Sequence, residues 1–315
     1  MATWTRIYNK LNSANLSLFI DSIIKDRCSM KIDKAQVNGA VYVLCEHETA
    51  RCSDCKRAVV VKFSKNILGS GGGSVGSSEA EILLEINNSM RGLGGYWKNY
   101  KNHVLHYVSH KNVDNETILV SELVQQKRRG YNNLKDFILS GECTITDLNH
   151  MIIEIFMTLQ IITEIVPGFI HMDLLLSQIF LCESLKPEFL PITSKRIFYL
   201  RDKKYSTVLG DFGTSSSKKV INSQLKYHGI EANVFQDIFR FFLNLEELSA
   251  GKKIQNYVKT IIDTIFRKLF YVLKSRTRGN GYLPKKVLDE VGPYMYSDVI
   301  DALPWLKKYE ATLPK

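Results

Sequence analysis

Apolar residues in this chain change their spacing partway along. Up to about residue 125 they come in short β-branched runs bounded by polar loops: Val41-Tyr42-Val43-Leu44, Ala58-Val59-Val60-Val61, and residues 104–108 and 117–124. Runs of that length and composition predict strands, the first two forming a hairpin. An amphipathic helix is predicted over residues 79–90. Another is expected near the start, where Leu16, Phe19, Ile20 and Ile23 fall at helical spacing behind Asn15 as cap. After residue 124 the spacing turns helical, over residues 132–139, 146–166, 234–248 and 254–273. The stripe Ile153, Phe156, Leu159, Ile162 reads as core packing. Pro304 and Pro314 punctuate a less regular tail. Strands first and helices afterwards predict an α+β fold of two lobes, a small β-rich lobe over residues 1–124 and a larger helical lobe over residues 125–315.

One tract fits neither pattern. Residues 69–78, GSGGGSVGSS, have the composition of a flexible linker, inserted or native, with nothing to pack. Gly71, Gly73 and Gly76 there match a G-x-G-x-x-G spacing, but they lie after the strand that carries Lys62 rather than before it. They are read as linker.

Composition adds limits. With 45% hydrophobic and 23% charged residues in 315, the chain can bury a substantial core. A net charge of +10 suits acidic partners, yet the basic residues are scattered, with only short clusters such as Lys127-Arg128-Arg129. A solvated basic surface explains this better than a nucleic-acid groove. The most apolar segment, residues 151–166, is short for a bilayer and carries Glu154 and Glu164, so it is read as a buried helix. Six cysteines without a secretory leader suggest reduced thiols in the cytoplasm. Cys45, His47, Cys52 and Cys55 could together ligate zinc, but only one true C-x₂-C is present and the spacing is unusual, so reduced surface cysteines are the preferred reading.

The candidate chemistry lies in four charged residues. Lys62 closes an apolar strand, Glu79 opens the next helix, Asp173 sits between a long helix and a short strand, and Asp211 begins Asp211-Phe212-Gly213 after another strand. A lysine for nucleotide phosphates, a carboxylate to orient it, a carboxylate for the proton of a hydroxyl and one for a metal are the parts that phosphoryl transfer needs. Each alone has an ordinary explanation; their order and context agree jointly.

In these features the chain resembles the protein-kinase superfamily over nearly its whole length. Gly39-Ala40-Val41-Tyr42 is similar to the end of a glycine-rich loop, and Val59-Val60-Val61-Lys62 to the strand bearing the kinase lysine. Glu79 matches the glutamate of the regulatory helix, with Glu81 as runner-up. Leu119 to Val124 resembles the strand and hinge that hold adenine, with Ser121 as gatekeeper and Glu122 and Val124 offering backbone groups. His171-Met172-Asp173 occupies the catalytic loop, Asp237 resembles the aspartate that braces it, and His171 is expected to bond backbone near Asp211. Residues 196–213 and 233–245 are similar to kinases of large cytoplasmic DNA viruses, the poxvirus late serine/threonine kinases among them.

The resemblance implies ATP and magnesium, with manganese as an alternative, a serine or threonine in a protein substrate, and a host-cell cytoplasmic location. It assigns Asp173, Lys62 and Glu79 to catalysis, Gly39, Val41, Lys62, Glu122 and Val124 to nucleotide, and Asp211 and Gln178 to metal. The departures are equally specific. Lys34 and Gln36 stand where two loop glycines are expected, Leu175 where a lysine is, Gln178 where an asparagine is, and Met172 where an arginine would answer a phosphorylated activation loop. They support an alternative, a pseudokinase that engages a protein partner. A small-molecule kinase of related fold is a third option.

Overall fold

The computed structural model describes residues 29–36, 39–45, 58–65, 75–113, 116–122, 131–184, 186–193, 196–222, 232–277 and 281–312. The helix expected near Leu16, the ligand set of His47, Cys52 and Cys55, Val124, the Lys127 cluster and residues 69–74 of the linker tract lie outside them.

The small lobe is a five-stranded antiparallel sheet in the order β1 (Ser29–Gln36), β2 (Gly39–Cys45), β3 (Ala58–Lys65), β5 (Glu116–Glu122), β4 (Tyr107–Val113). The β2–β3 pairing follows the predicted hairpin, with Val41 opposite Lys62 and Leu44 opposite Val59. Strand β1 was not anticipated. Its stretch SMKIDKAQ is too polar to show the period of a buried strand, and edge strands need less apolar surface.

Helix α1 spans Val75–Arg91, so the last four residues of the glycine-serine tract, 75–78, are helical rather than linker. Ser78 is buried, and the Ser77 hydroxyl donates to Glu81 at 2.8 Å. Ala80, Ile82, Leu83, Ile86 and Met90 form the buried stripe whose tertiary packing carries the helix back into a sequence of low helix propensity. Beyond it, residues Gly95–His103 form 3₁₀ turns, and the strand expected at Val104 begins only at Tyr107. Asn87 organises this connection, donating to the carbonyls of Leu83 and Leu105 and accepting from the Tyr107 amide.

The large lobe is built on α3 (Ile145–Ile165), following α2 (Leu134–Ser140). Thr144 and Asp147 close a reciprocal capping box at its start. Every residue from Asp147 to Ile162 is buried, so a helix long and apolar enough to span a bilayer serves here as the core of the lobe. Against it pack α4 (Val234–Ser249) and a set of rings, with Phe156 stacked on Phe242 at 5.8 Å and edge-on to Phe241 at 5.1 Å. The helix expected over residues 254–273 is two: α5 (Gln255–Phe266) and α6 (Leu269–Arg276), broken at Arg267 with φ of 54°. The apolar period runs on through Phe266 and Phe270, both buried, so the sequence pattern alone does not show the break.

Strands β6 (Ile179–Glu183) and β9 (Tyr205–Leu209) pair antiparallel, and between them β7 (Glu188–Pro191) and β8 (Arg196–Leu200) form a small sheet with the terminal strand β10 (Glu310–Thr312). Under this sheet lies a buried charge cluster. Lys203 Nζ bonds Glu154 at 2.7 Å and also Glu188, His103 Nε2 bonds Glu188 at 3.0 Å, and Glu154 accepts from both the amide and hydroxyl of Thr207. His103, Glu154 and Glu188 are grouped closely enough to hold a metal, but the Lys203 ammonium is bonded to both carboxylates there. The architecture is the two-lobed α+β arrangement the sequence implied.

Candidate active site

The Lys62 ammonium lies 2.9 Å from Glu79 Oε2, 3.0 Å from Glu79 Oε1 and 2.8 Å from Asp211 Oδ1. The three residues come from β3, α1 and the turn after β9, so this contact ties the two lobes together. Glu81, the runner-up, is exposed and takes the Ser77 hydroxyl instead. Burial works against the charge on Lys62, but Glu79 and Asp211 outweigh it and raise its pKa above the ordinary lysine value. Burial raises Glu79, which Lys62 offsets only in part; burial also opposes the charge on Asp211, but Lys62 overcomes it and holds that carboxyl below the usual range. One ammonium between two carboxylates leaves a local excess of negative charge.

Asp211 reaches this position through a left-handed backbone, φ 53° and ψ 65°. The residue before it must be glycine, because a Cβ on Gly210 would stand 2.4 Å from the Phe180 ring. His171 Nε2 bonds the Gly210 carbonyl at 3.1 Å, as expected, and its ring packs on buried Phe212 at 5.1 Å.

The loop carrying Asp173 is fixed from below by α4. Asp237, fully buried, accepts from the His171 amide at 2.9 Å and from the Tyr296 hydroxyl at 2.5 Å. Burial raises its pKa, and its Oδ1 has no hydrogen-bond partner. Met172 is left-handed at φ 67°, and its carbonyl accepts from Arg240 Nη1 at 3.0 Å and from the Tyr282 hydroxyl at 3.1 Å. Both oxygens of Asp173 are engaged, Oδ1 by Arg240 Nη2 at 2.7 Å and Oδ2 by Gln178 Nε2 at 2.6 Å.

Gln178 Nε2 also reaches Asp211 Oδ2 at 3.3 Å, so one amide nitrogen bridges the two carboxylates. Its oxygen faces the Leu175 amide at a long 3.4 Å. The carboxylate of Asp211 and the amide oxygen of Gln178 are donors of the hard oxygen type that magnesium takes. Gln178 could join as a ligand after a half-turn of its amide, which gives up its bonds to Asp173 and Asp211 and turns the oxygen toward them. Among the nucleotide-contact candidates, Val41 lies on β2 opposite Lys62 and Gly39 opposite Ser64, and Glu122 ends β5 with an exposed side chain and its N–H on the His106 carbonyl.

After Gly213 the chain is held by hydrogen bonds the sequence did not reveal. Ser215 Oγ donates to the His171 carbonyl at 3.0 Å, and Asn222 Nδ2 to the Gly213 carbonyl at 2.8 Å. Ser217 Oγ donates to Glu85 of α1 at 2.8 Å, with Lys219 3.4 Å from the same carboxylate. Arg240 was missed although a signal existed: it follows Asp237 by one helical turn and sits between Phe239 and Phe241, where a buried charge needs a partner.

No family model matches the chain, and no curated protein matches it. Among solved structures, the crystal structure of a kinase domain from Plasmodium is similar, with a TM-score of 0.44 and 16% sequence identity over 89% of this chain and 82% of that one.

Proposed function

We propose that this chain is an ATP- and magnesium-dependent serine/threonine protein kinase of the kind found in large DNA viruses, with its small lobe over residues 1–124 and its large lobe over residues 125–315. The observation that carries the reading is Lys62 bonded at once to Glu79 and Asp211, a closed arrangement of three residues far apart in sequence. Lys62 would hold nucleotide phosphates while Glu79 fixes its direction. Asp211, with Gln178 after its amide turns, would hold magnesium, which would offset the negative charge of the phosphates. Gly39 and Val41 would line the nucleotide, and backbone groups of Glu122 and Val124 would meet the base. Asp173, with Oδ1 pinned by Arg240, would accept the proton of a substrate hydroxyl on Oδ2 once the Gln178 amide has turned away from it.

A second reading rests on the same loop. Gln178 ties Asp173 to Asp211, and a bond that the cation must break favours a pseudokinase that binds partners and does no chemistry. Purified protein incubated with labelled ATP, magnesium or manganese, and a generic basic protein, beside an Asp173→Asn control, separates the two. Transfer by the parent and none by the control supports the kinase; equal transfer by both points to a contaminant and ends the catalytic assignment.

A further inference from the structure

We propose that Arg240 is the positioning residue for Asp173 and the source of positive charge at the catalytic loop. This rests on the kinase reading and adds a residue to it. Arg240 sits on α4 with its side chain only 8% exposed, flanked by buried Phe239, Phe241 and Phe242. A guanidinium there costs several kcal/mol in lost hydration unless it is fully paired. Packing alone gives no reason for it.

Its partners show what it is for. The guanidinium bonds the Met172 carbonyl with one nitrogen and Asp173 Oδ1 with another, and lies over the Tyr282 ring at 4.0 Å. Tyr282 bonds the same carbonyl, so the ring and the guanidinium together hold the left-handed Met172 that aims Asp173 outward. The fork is planar and held at three places, so it fixes the carboxylate in rotation as well as position. Asp173 is 20% exposed and belongs to the site, whereas the buried carboxylate on the same helix, Asp237, goes to His171 and Tyr296.

Charge points the same way. Among the described residues, Arg240 is the cation paired with Asp173, and position 175, two residues beyond, holds leucine. In the transfer, the substrate oxygen bonds the γ-phosphorus and the bond from that phosphorus to the bridging oxygen breaks. Its electron pair leaves on the nucleoside diphosphate, and the hydroxyl proton passes to Asp173 Oδ2. Arg240 holds Oδ1 throughout, so that Oδ2 takes the proton once the Gln178 amide turns off it, and keeps a positive charge beside the reacting group, where preorganised charge acts most strongly.

The test measures kcat and KM for ATP in the full chain and its variants, with folded fraction checked by thermal unfolding. Arg240→Ala should lower kcat by about 100-fold or more with KM for ATP nearly unchanged, the pattern of a group that acts on the transition state. Arg240→Lys should retain more activity than Arg240→Ala. Millimolar guanidinium, but not matched sodium chloride, should restore part of the loss, and so should adding Leu175→Lys to the Arg240→Ala chain. A purely structural arginine would not be rescued from a different element of the fold. If Arg240→Ala does not fold, Arg240→Gln replaces it, since glutamine keeps a donor for the Met172 carbonyl and drops the charge. An active parent with an equally active Arg240→Ala chain, or a loss that neither guanidinium nor Leu175→Lys repairs, overturns this inference alone. Absence of transfer by the parent overturns it together with the kinase reading.

Discussion

Gln178 donates its amide nitrogen to Asp173 Oδ2 at 2.6 Å, the shortest of its contacts in the site, while the oxygen it would need for a metal is turned away toward Leu175. The side chain that bridges the base and the metal carboxylate therefore has two roles in opposition. In one amide orientation it neutralises nothing and ties the carboxylates together; in the other it can serve a cation.

A shorter amide at that position should resolve the opposition. Asparagine lacks one methylene, so it cannot span to Asp173 and Asp211 in the same way, and its oxygen has fewer rotamers to search. We expect Gln178→Asn to keep or raise the transfer rate, by up to about tenfold, equivalent to about 1.4 kcal/mol of barrier. Manganese, which tolerates looser coordination, should narrow the gap between parent and variant. A rate that collapses in Gln178→Asn while folding is unchanged would show that the bridge itself is needed.

Nucleotide should stabilise the fold through Lys62. A ligand at about 100 times its Kd adds about 2.7 kcal/mol, readable as a rise in Tm. Lys62→Met removes the cation that would meet the phosphates and leaves Glu79 and Asp211 without their shared partner. Most of the ATP-magnesium shift should disappear in that variant. A shift of the same size in both chains would place the nucleotide elsewhere.

The large features of this fold were legible because they follow from periodicity. Strands β2, β3 and β5 and helices α2, α3 and α4 appear where β-branched runs and apolar stripes predict them, within a few residues. Lys62, Glu79 and Asp211 were readable because each is a charge at the edge of an apolar element. What escaped was decided by long-range contact. The start of α1 in a glycine-serine stretch is set by packing, and the break at Arg267 leaves the apolar period intact. The Lys203 cluster joins residues whose sequence separation reaches 104, between His103 and Thr207, and no local pattern encodes that.

That cluster makes a pH prediction. Burial opposes the charge on Glu188, but His103 and Lys203 prevail and hold its pKa down to about 2, from an ordinary value of 4.5. A carboxyl depressed in the folded state contributes stability above its unfolded pKa and loses it as pH falls through the folded one. The contribution, at most about 3 kcal/mol, should therefore be constant above pH of about 5 and fade toward pH of about 2. His103 has the opposite sign: burial pulls it down, Glu188 and Glu154 raise it further, and its contribution is lost as pH rises through its folded pKa. Urea unfolding of the parent and Glu188→Gln across pH 2 to 6, about the acid window, should show the two chains converging at the acid end. A constant difference would assign the cost to packing.

Activity should not depend on phosphorylation of the segment after Gly213, because that segment is already pinned to α1. Glu85 lies on the helix that carries Glu79, and its carboxylate is 11% exposed where Ser217 donates to it at 2.8 Å. The same carboxylate pairs with Lys219, but that lysine is 78% exposed, and exposed pairs contribute about 0–1 kcal/mol. A hydrogen bond to a charged, largely buried acceptor contributes more, about 1.5–3 kcal/mol. The serine bond should thus dominate in holding α1 where Glu79 meets Lys62. Lys219→Ala should leave the transfer rate within about twofold, while Glu85→Ala should lower it by about tenfold, for a coupling near 1.4 kcal/mol. Glu85→Gln retains an acceptor for Ser217 and should fall between them. Phosphatase treatment of the parent should change nothing. Loss of activity on that treatment, or equal effects of Lys219→Ala and Glu85→Ala, would show that charge neutralisation, by a phosphate or by the lysine, sets the segment's position rather than the serine bond.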